Sequence, residues 1–154
     1  MRLLLILSFF VISPILTFSQ CPHWVGEDHS RGVALAPIVE EYLLFKMTVD
    51  NSDKDVIVYK DKGGFSTLKI TVAQKTELRG TDLVTVQGNT ISIYIEGPAD
   101  RIDKLVKEYF VPLIQPCKPL ISATSYIWDT YRLSYLDKGM YNGIPMKYIV
   151  IEKP

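Results

Sequence analysis

The stretch 89–112, NTISIYIEGPADRIDKLVKEYFVP, constrains this chain more than any other part, because its hydrophobic period changes from two to about 3.6 halfway along. Ile91, Ile93 and Ile95 alternate with Ser92, Tyr94 and Glu96, the pattern of a strand with one buried face. Gly97 can stand as N-cap, Pro98 suits the first helical position because its missing N–H would have no partner there, and Asp100 complements the helix dipole. The spacing predicts a helix over 98–111, ended by Pro112. Ile102, Leu105, Val106, Tyr109 and Phe110 fall at i, i+3, i+4, i+7 and i+8, one apolar stripe that needs a sheet to cover. On the other face Asp103 with Lys107 and Lys104 with Glu108 are spaced as i,i+4 ion pairs, worth about 0.2–0.5 kcal/mol each. The fold class expected is α+β: an antiparallel sheet of roughly five to seven strands with one main amphipathic helix packed on one face.

Residues 1–20 read as a signal peptide rather than as part of that fold. Arg2 opens the segment, 3–12 is an almost continuous apolar run too short for a membrane span, and Pro14, Ser19 and Gln20 close it. Cleavage near Ser19 to Cys21 leaves 21–154 as one α+β domain with a flexible N-terminal arm, 21–32. In an exported chain the two cysteines read first as a disulfide, Cys21 to Cys117, closing a loop of about a hundred residues. The alternative is a lipid on Cys21, which would forbid that bond, although Phe18, Ser19 and Gln20 depart from the usual lipoprotein signal. Localisation is therefore secreted or periplasmic on the first reading and lipid-anchored in the cell envelope on the second. A membrane is a partner only if Cys21 is lipidated.

Basic and acidic residues number 17 each and are interspersed, so no basic stripe argues for nucleic acid as a partner. Both histidines, His23 and His29, lie in the arm beside Glu27 and Asp28 and are the weak candidates for a metal. Pro22 has no amide N–H to complete an amino-terminal copper or nickel site, and no C-x-x-C or H-E-x-x-H spacing supplies zinc ligands. No metal and no cofactor is expected. With both histidines in the arm, and with Glu40, Glu41, Asp100 and Asp103 reading as solvated, no residue is assigned a catalytic role.

The middle of the chain reads as strands and turns. Residues 33–49 fit either a short helix beginning at Pro37 or a strand; from Tyr42 onward Leu43, Phe45, Met47 and Val49 alternate, and the polar DNSDKD turn before 56–60 predicts a hairpin. Leu68, Ile70 and Val72 mark a strand over 65–73, 76–86 reads as a further strand or two interrupted at Arg79 and Gly80, and Gln87, Gly88 and Asn89 as a tight turn. KGGFST lacks the spacing of a nucleotide-binding loop. From 56 to 127 the order of strand, Gly-Gly-Phe turn, middle segment, hairpin ending Glu96-Gly97-Pro98, amphipathic helix and last strand is similar to acylphosphatases, a ferredoxin-like family. That resemblance implies a phosphate-holding glycine loop, an Arg directly after the Phe and an Asn in the following hairpin. This chain has Ser66 at the first of those positions and Thr81, Asp82 or Val84 at the second, and its middle segment reads as a strand where the family has a helix.

The last third is aromatic. Tyr126, Trp128, Tyr131, Tyr135 and Tyr141 lie there, with DKGMYNGIP read as a turn between two strand-like runs and 147–152 as a final buried strand. These side chains are either core residues or a stacking platform for sugar or peptide, and they are the candidate binding residues. The function expected is a small exported non-catalytic binding or structural domain of the cell envelope or extracellular space, engaging a protein or saccharide partner. The alternative is a degenerate acylphosphatase-like or carboxylate-based hydrolase.

Overall fold

The computed structural model describes residues 21, 33–52, 56–79 and 82–153. The expected signal peptide, the candidates His23 and His29, and the turn at 80–81 lie outside the described residues.

Strands β1 (Met47–Ser52), β2 (Val56–Asp61), β3 (Thr67–Arg79), β4 (Asp82–Pro98), β5 (Leu120–Ile121), β6 (Ser125–Trp128), β7 (Tyr131–Tyr141) and β8 (Ile144–Glu152) form one antiparallel sheet in the order β1-β2-β3-β4-β8-β7-β6-β5. Two four-strand meanders thus meet where β4 pairs with β8, and the connection from β4 carries the chain out to the far edge at β5. Eight strands exceed the expected five to seven. The aromatic third, read as two strand-like runs, holds four of them, because short turns after Ile121 and Trp128 divide its first run.

That connection is the amphipathic helix, and its ends differ from the expectation. β4 continues through Gly97 and Pro98, paired with Lys147 and Met146, and Pro98 with ψ 136° is the N-cap of α2, so α2 begins at Ala99. The run does not stop at Pro112. It passes from α2 (Ala99–Leu105) through a π turn (Val106–Phe110) into α3 (Val111–Ile114) and a 3₁₀ turn (Gln115–Cys117). In the wide turn the Val111 N–H reaches back five residues to the Val106 carbonyl, which opens the helix just where a proline lacks a donor and crowds the preceding turn. The apolar stripe holds: Ile102, Leu105, Val106 and Phe110 are buried, with Ile114 added by the continuation. They share one core with Leu68, Ile70, Ile93, Ile95, Leu133, Ile149 and Ile151 from the covered sheet face, each burial contributing about 1.5–3 kcal/mol. On the exposed face Lys104 meets Glu108 at 4.0 Å, whereas Asp103 bonds not Lys107 but Lys147 of β8, at 2.6 Å, tying helix to sheet.

A second, short helix, α1 (Ala36–Leu43), settles the ambiguity of the first part of segment 33–49 in favour of helix. Pro37 stands in its first turn, Leu35, Ala36, Val39 and Leu43 enter the core, and Leu44 ends it in the left-handed conformation at φ 59°. The alternation from Tyr42 is therefore not strand until Met47. A Cβ on Gly97 would lie 3.0 Å from Leu43 Cδ2 and 3.2 Å from Ser66 Oγ, so Gly97 serves the close approach of α1 to the sheet rather than a helix cap.

Two expected turns are relocated. β4 runs unbroken through 87–89, and the polar triplet there marks a register slip: Gln74 faces Asn89 but Thr76 faces Thr85. Of DKGMYNGIP only Asn142 and Gly143 turn, both at positive φ (49° and 78°), the backbone hand a tight hairpin requires. Cys21 is bonded to Cys117 with Cα atoms 5.6 Å apart, which brings the start of the expected mature chain beside the end of the helical run.

Candidate functional site

Three aromatic side chains from distant parts of the sequence meet at one end of the sheet. Phe45 comes from the link between α1 and β1, Phe65 from the turn between β2 and β3, and Tyr141 from the end of β7. The Phe45 and Phe65 rings are parallel within 6° at 5.8 Å, and Tyr141 meets Phe65 edge to face at 5.4 Å. Below them lies a cleft of about 510 Å³ lined by Phe45, Lys46, Thr48, Asp61, Lys62, Gly63 and Phe65. Phe45 also borders a second hollow, shared with Leu44 and Ile144, so the apolar rim extends through side chains that solvent reaches.

The turn that presents Phe65 is wound around a carboxylate. Asp61 is buried; its Oδ1 accepts the Ser66 N–H at 2.7 Å and its Oδ2 the Gly63 N–H at 3.1 Å. Gly64 sits at φ 70°, where the Tyr141 hydroxyl comes within 3.1 Å of the position a Cβ would take. Asp61 is thereby tied to backbone donors of its own turn. Lys46 and Lys62 stand exposed at the rim and give the mouth its positive charge.

The five aromatic candidates are not brought together. Trp128 and Tyr131 flank the β6–β7 turn, packed on each other at 5.9 Å and only 2% and 5% exposed, so of the two alternatives these side chains take the core one. Tyr126 and Tyr135 are half-buried and line a different groove, of about 320 Å³, with Val106, Lys107, Val111 and Lys147. There the Lys147 ammonium lies 5.5 Å above the Tyr135 ring, and its pKa is raised, chiefly by the hydrogen bond to Asp103. Burial, with Tyr135 close by, raises that of Tyr126. Only Tyr141 comes near the cleft, through its edge contact with Phe65, and it is not among the lining residues. Phe45 and Phe65, its walls, were legible in the sequence as a strand residue and as part of a glycine-rich turn; the one signal was a bulky apolar ring directly after Gly-Gly.

The sheet face away from the helices carries polar side chains satisfied by one another. Tyr94 stacks on Tyr148 at 5.6 Å and donates its hydroxyl to Glu96 Oε2 at 2.5 Å, while Lys138 pairs with the same oxygen. Burial, then the bond to Glu96, raises the Tyr94 pKa. Glu96 is pushed upward by burial, but the bonds from Lys138 and Tyr94 outweigh it and leave its pKa below the ordinary carboxylate value. Arg132 donates to Glu152 through Nε at 2.9 Å and Nη2 at 2.5 Å.

Among the described residues no group of three or more His, Cys, Asp or Glu side chains is placed to hold a metal ion, and no helix is long and apolar enough to cross a membrane. Ser66, standing where acylphosphatases carry Arg, is fully buried with its hydroxyl unpartnered, and the segment after it is strand β3 rather than a helix. Comparison with known proteins finds no matching family model, no matching curated protein and no matching solved structure.

Proposed function

We propose that the protein is an exported, non-catalytic binding domain of the cell envelope or extracellular space that holds a protein or saccharide partner at the cleft walled by Phe45 and Phe65. The observation that carries this reading is a preformed apolar cleft with two exposed lysines and a carboxylate already spent on backbone amides. Such a lining suits recognition. Export is supported by the apolar leader of 1–20 and by the Cys21–Cys117 bond, which persists in oxidising compartments. Screening the mature protein and its Phe65→Ala variant on peptide and glycan arrays tests the reading. Ligands retained by the parent and lost by a folded variant are expected; an identical profile for both would remove the cleft from consideration.

A further inference from the structure

The cleft opens beside a sheet edge, and the two together specify a kind of ligand. β1 is the first strand of the sheet, and among the described residues no strand pairs with its outer side. Which of its backbone groups face outward follows from the hydrogen bonds. The Asp61 N–H donates to the Ser66 carbonyl, so Asp61 turns its backbone toward β3, and strand alternation turns Lys60 toward β1. Opposite Lys60 is Thr48, so Met47 and Val49 turn their backbone groups outward. The Met47 N–H confirms this hand, because it is taken by Glu40 Oε1 at 2.9 Å from α1. The Met47 carbonyl and the Val49 N–H and carbonyl then form a short open edge, limited on its far side by the bulge between Val49 and Asn51.

We infer that this edge and cleft bind an extended acidic peptide that adds as a short strand along β1, seats an apolar ring in the cleft beside the stacked Phe45 and Phe65, and sets carboxylates against Lys46 and Lys62. The inference rests on the proposed binding role of the cleft and narrows it. A saccharide is the poorer fit. The Phe45 and Phe65 faces are turned on each other, the Thr48 hydroxyl is directed at the Lys60 carbonyl, and Asp61 is occupied, which leaves few groups to pair with sugar hydroxyls. A peptide needs what is present: backbone partners at a strand edge, one apolar pocket, and positive charge at its rim.

The probe is the capped pentapeptide acetyl-Glu-Thr-Phe-Thr-Glu-amide, whose alternation puts both acids and the ring on one side. It is titrated into the mature, disulfide-bonded protein while backbone amide shifts are followed by NMR. Saturable shifts confined to residues 44–49 and 61–66 are expected. Phe65→Ala should weaken binding about thirtyfold, as for a central aromatic contact, and Lys46→Glu and Lys62→Glu about fivefold each, as for exposed ion pairs. N-methylating the peptide at Phe or at the following Thr, one of which must face β1, should abolish binding without touching the protein's own fold. Equal binding of acetyl-Lys-Thr-Phe-Thr-Lys-amide, indifference to both N-methylations, or no saturable shift would each overturn the inference. If instead only glycans bind, and Phe65→Ala releases them, the cleft stands as a binding site and the peptide assignment falls; if neither class responds, both fall.

Discussion

Glu96 is a charged residue held on a sheet face largely away from water, and its neighbours explain how. Its side chain is only 14% exposed, yet the Tyr94 hydroxyl and the Lys138 ammonium both meet Oε2, so the ionised form is the favoured one in the folded state. A carboxyl whose folded pKa lies below its unfolded value adds stability above the unfolded pKa, about 4.3 for Glu, and loses that contribution as pH falls through the folded value. Glu96→Gln should therefore cost about 1–2 kcal/mol at pH 7, most of it from the charge-assisted bond to Tyr94, since Lys138 is half exposed and screened. At pH 3 the gap between variant and parent should narrow. Urea unfolding at the two pH values checks this; equal stability at pH 7 would mean that water serves Glu96 as well as Tyr94 does.

At the scale of elements, the hairpin of β7 and β8 depends on two residues. Asn142 and Gly143 both take positive φ, and a β-branched side chain at Gly143 would have to enter a conformation that costs about 1–2 kcal/mol. Gly143→Val should lower stability by that amount in urea unfolding while Gly143→Asn stays within about 0.5 kcal/mol. The same hairpin shows what a single sequence discloses. Asn-Gly is the tightest hairpin signal available, but the polar and glycine-rich residues around it widened the expected turn to nine residues, because exposed strand ends have the composition of loops. Where one face is buried the pattern was legible: Ile93 and Ile95 in β4, and Ile102, Leu105, Val106 and Phe110 on the helix, sit in the core as their spacing implies. Gln87-Gly88-Asn89 misled for the reason DKGMYNGIP did, since turn residues also mark bulges inside long ribbons. Pro112 misled because a π turn, invisible in composition, absorbs it. None of the residues lining the cleft was among the expected binding residues; Tyr141 touches it only through Phe65. Phe45 and Phe65 become a pair only through the end of α1 and the β2–β3 turn, and no local pattern encodes that meeting.

For the whole molecule, the decisive constraint is the bond between Cys21 and Cys117. The sheet is two meanders joined along β4 and β8, and the helical run that links them ends at Cys117, so the crosslink closes 96 residues of separation at the point where the second meander begins. A loop of that length removes entropy from the unfolded chain equivalent to about 4–5 kcal/mol in the chain-entropy model. Typical domains are stable by only about 5–15 kcal/mol in total. Reduction, or Cys117→Ser, should therefore lower the unfolding free energy by about 4 kcal/mol and steepen its dependence on urea, because a chain freed of the crosslink exposes more surface when it unfolds. A loss below about 1 kcal/mol would show that the bond fastens the N-terminal segment without restraining the unfolded ensemble. The expected larger loss couples stability to compartment: the reduced chain would fold with a margin smaller by about 4 kcal/mol than the oxidised one. Intact-mass analysis of the mature protein, with alkylation before and after reduction, reads that coupling directly. Two alkyl groups taken up only after reduction are expected, whereas a lipid mass on Cys21 would exclude the crosslink and place the stabilisation elsewhere.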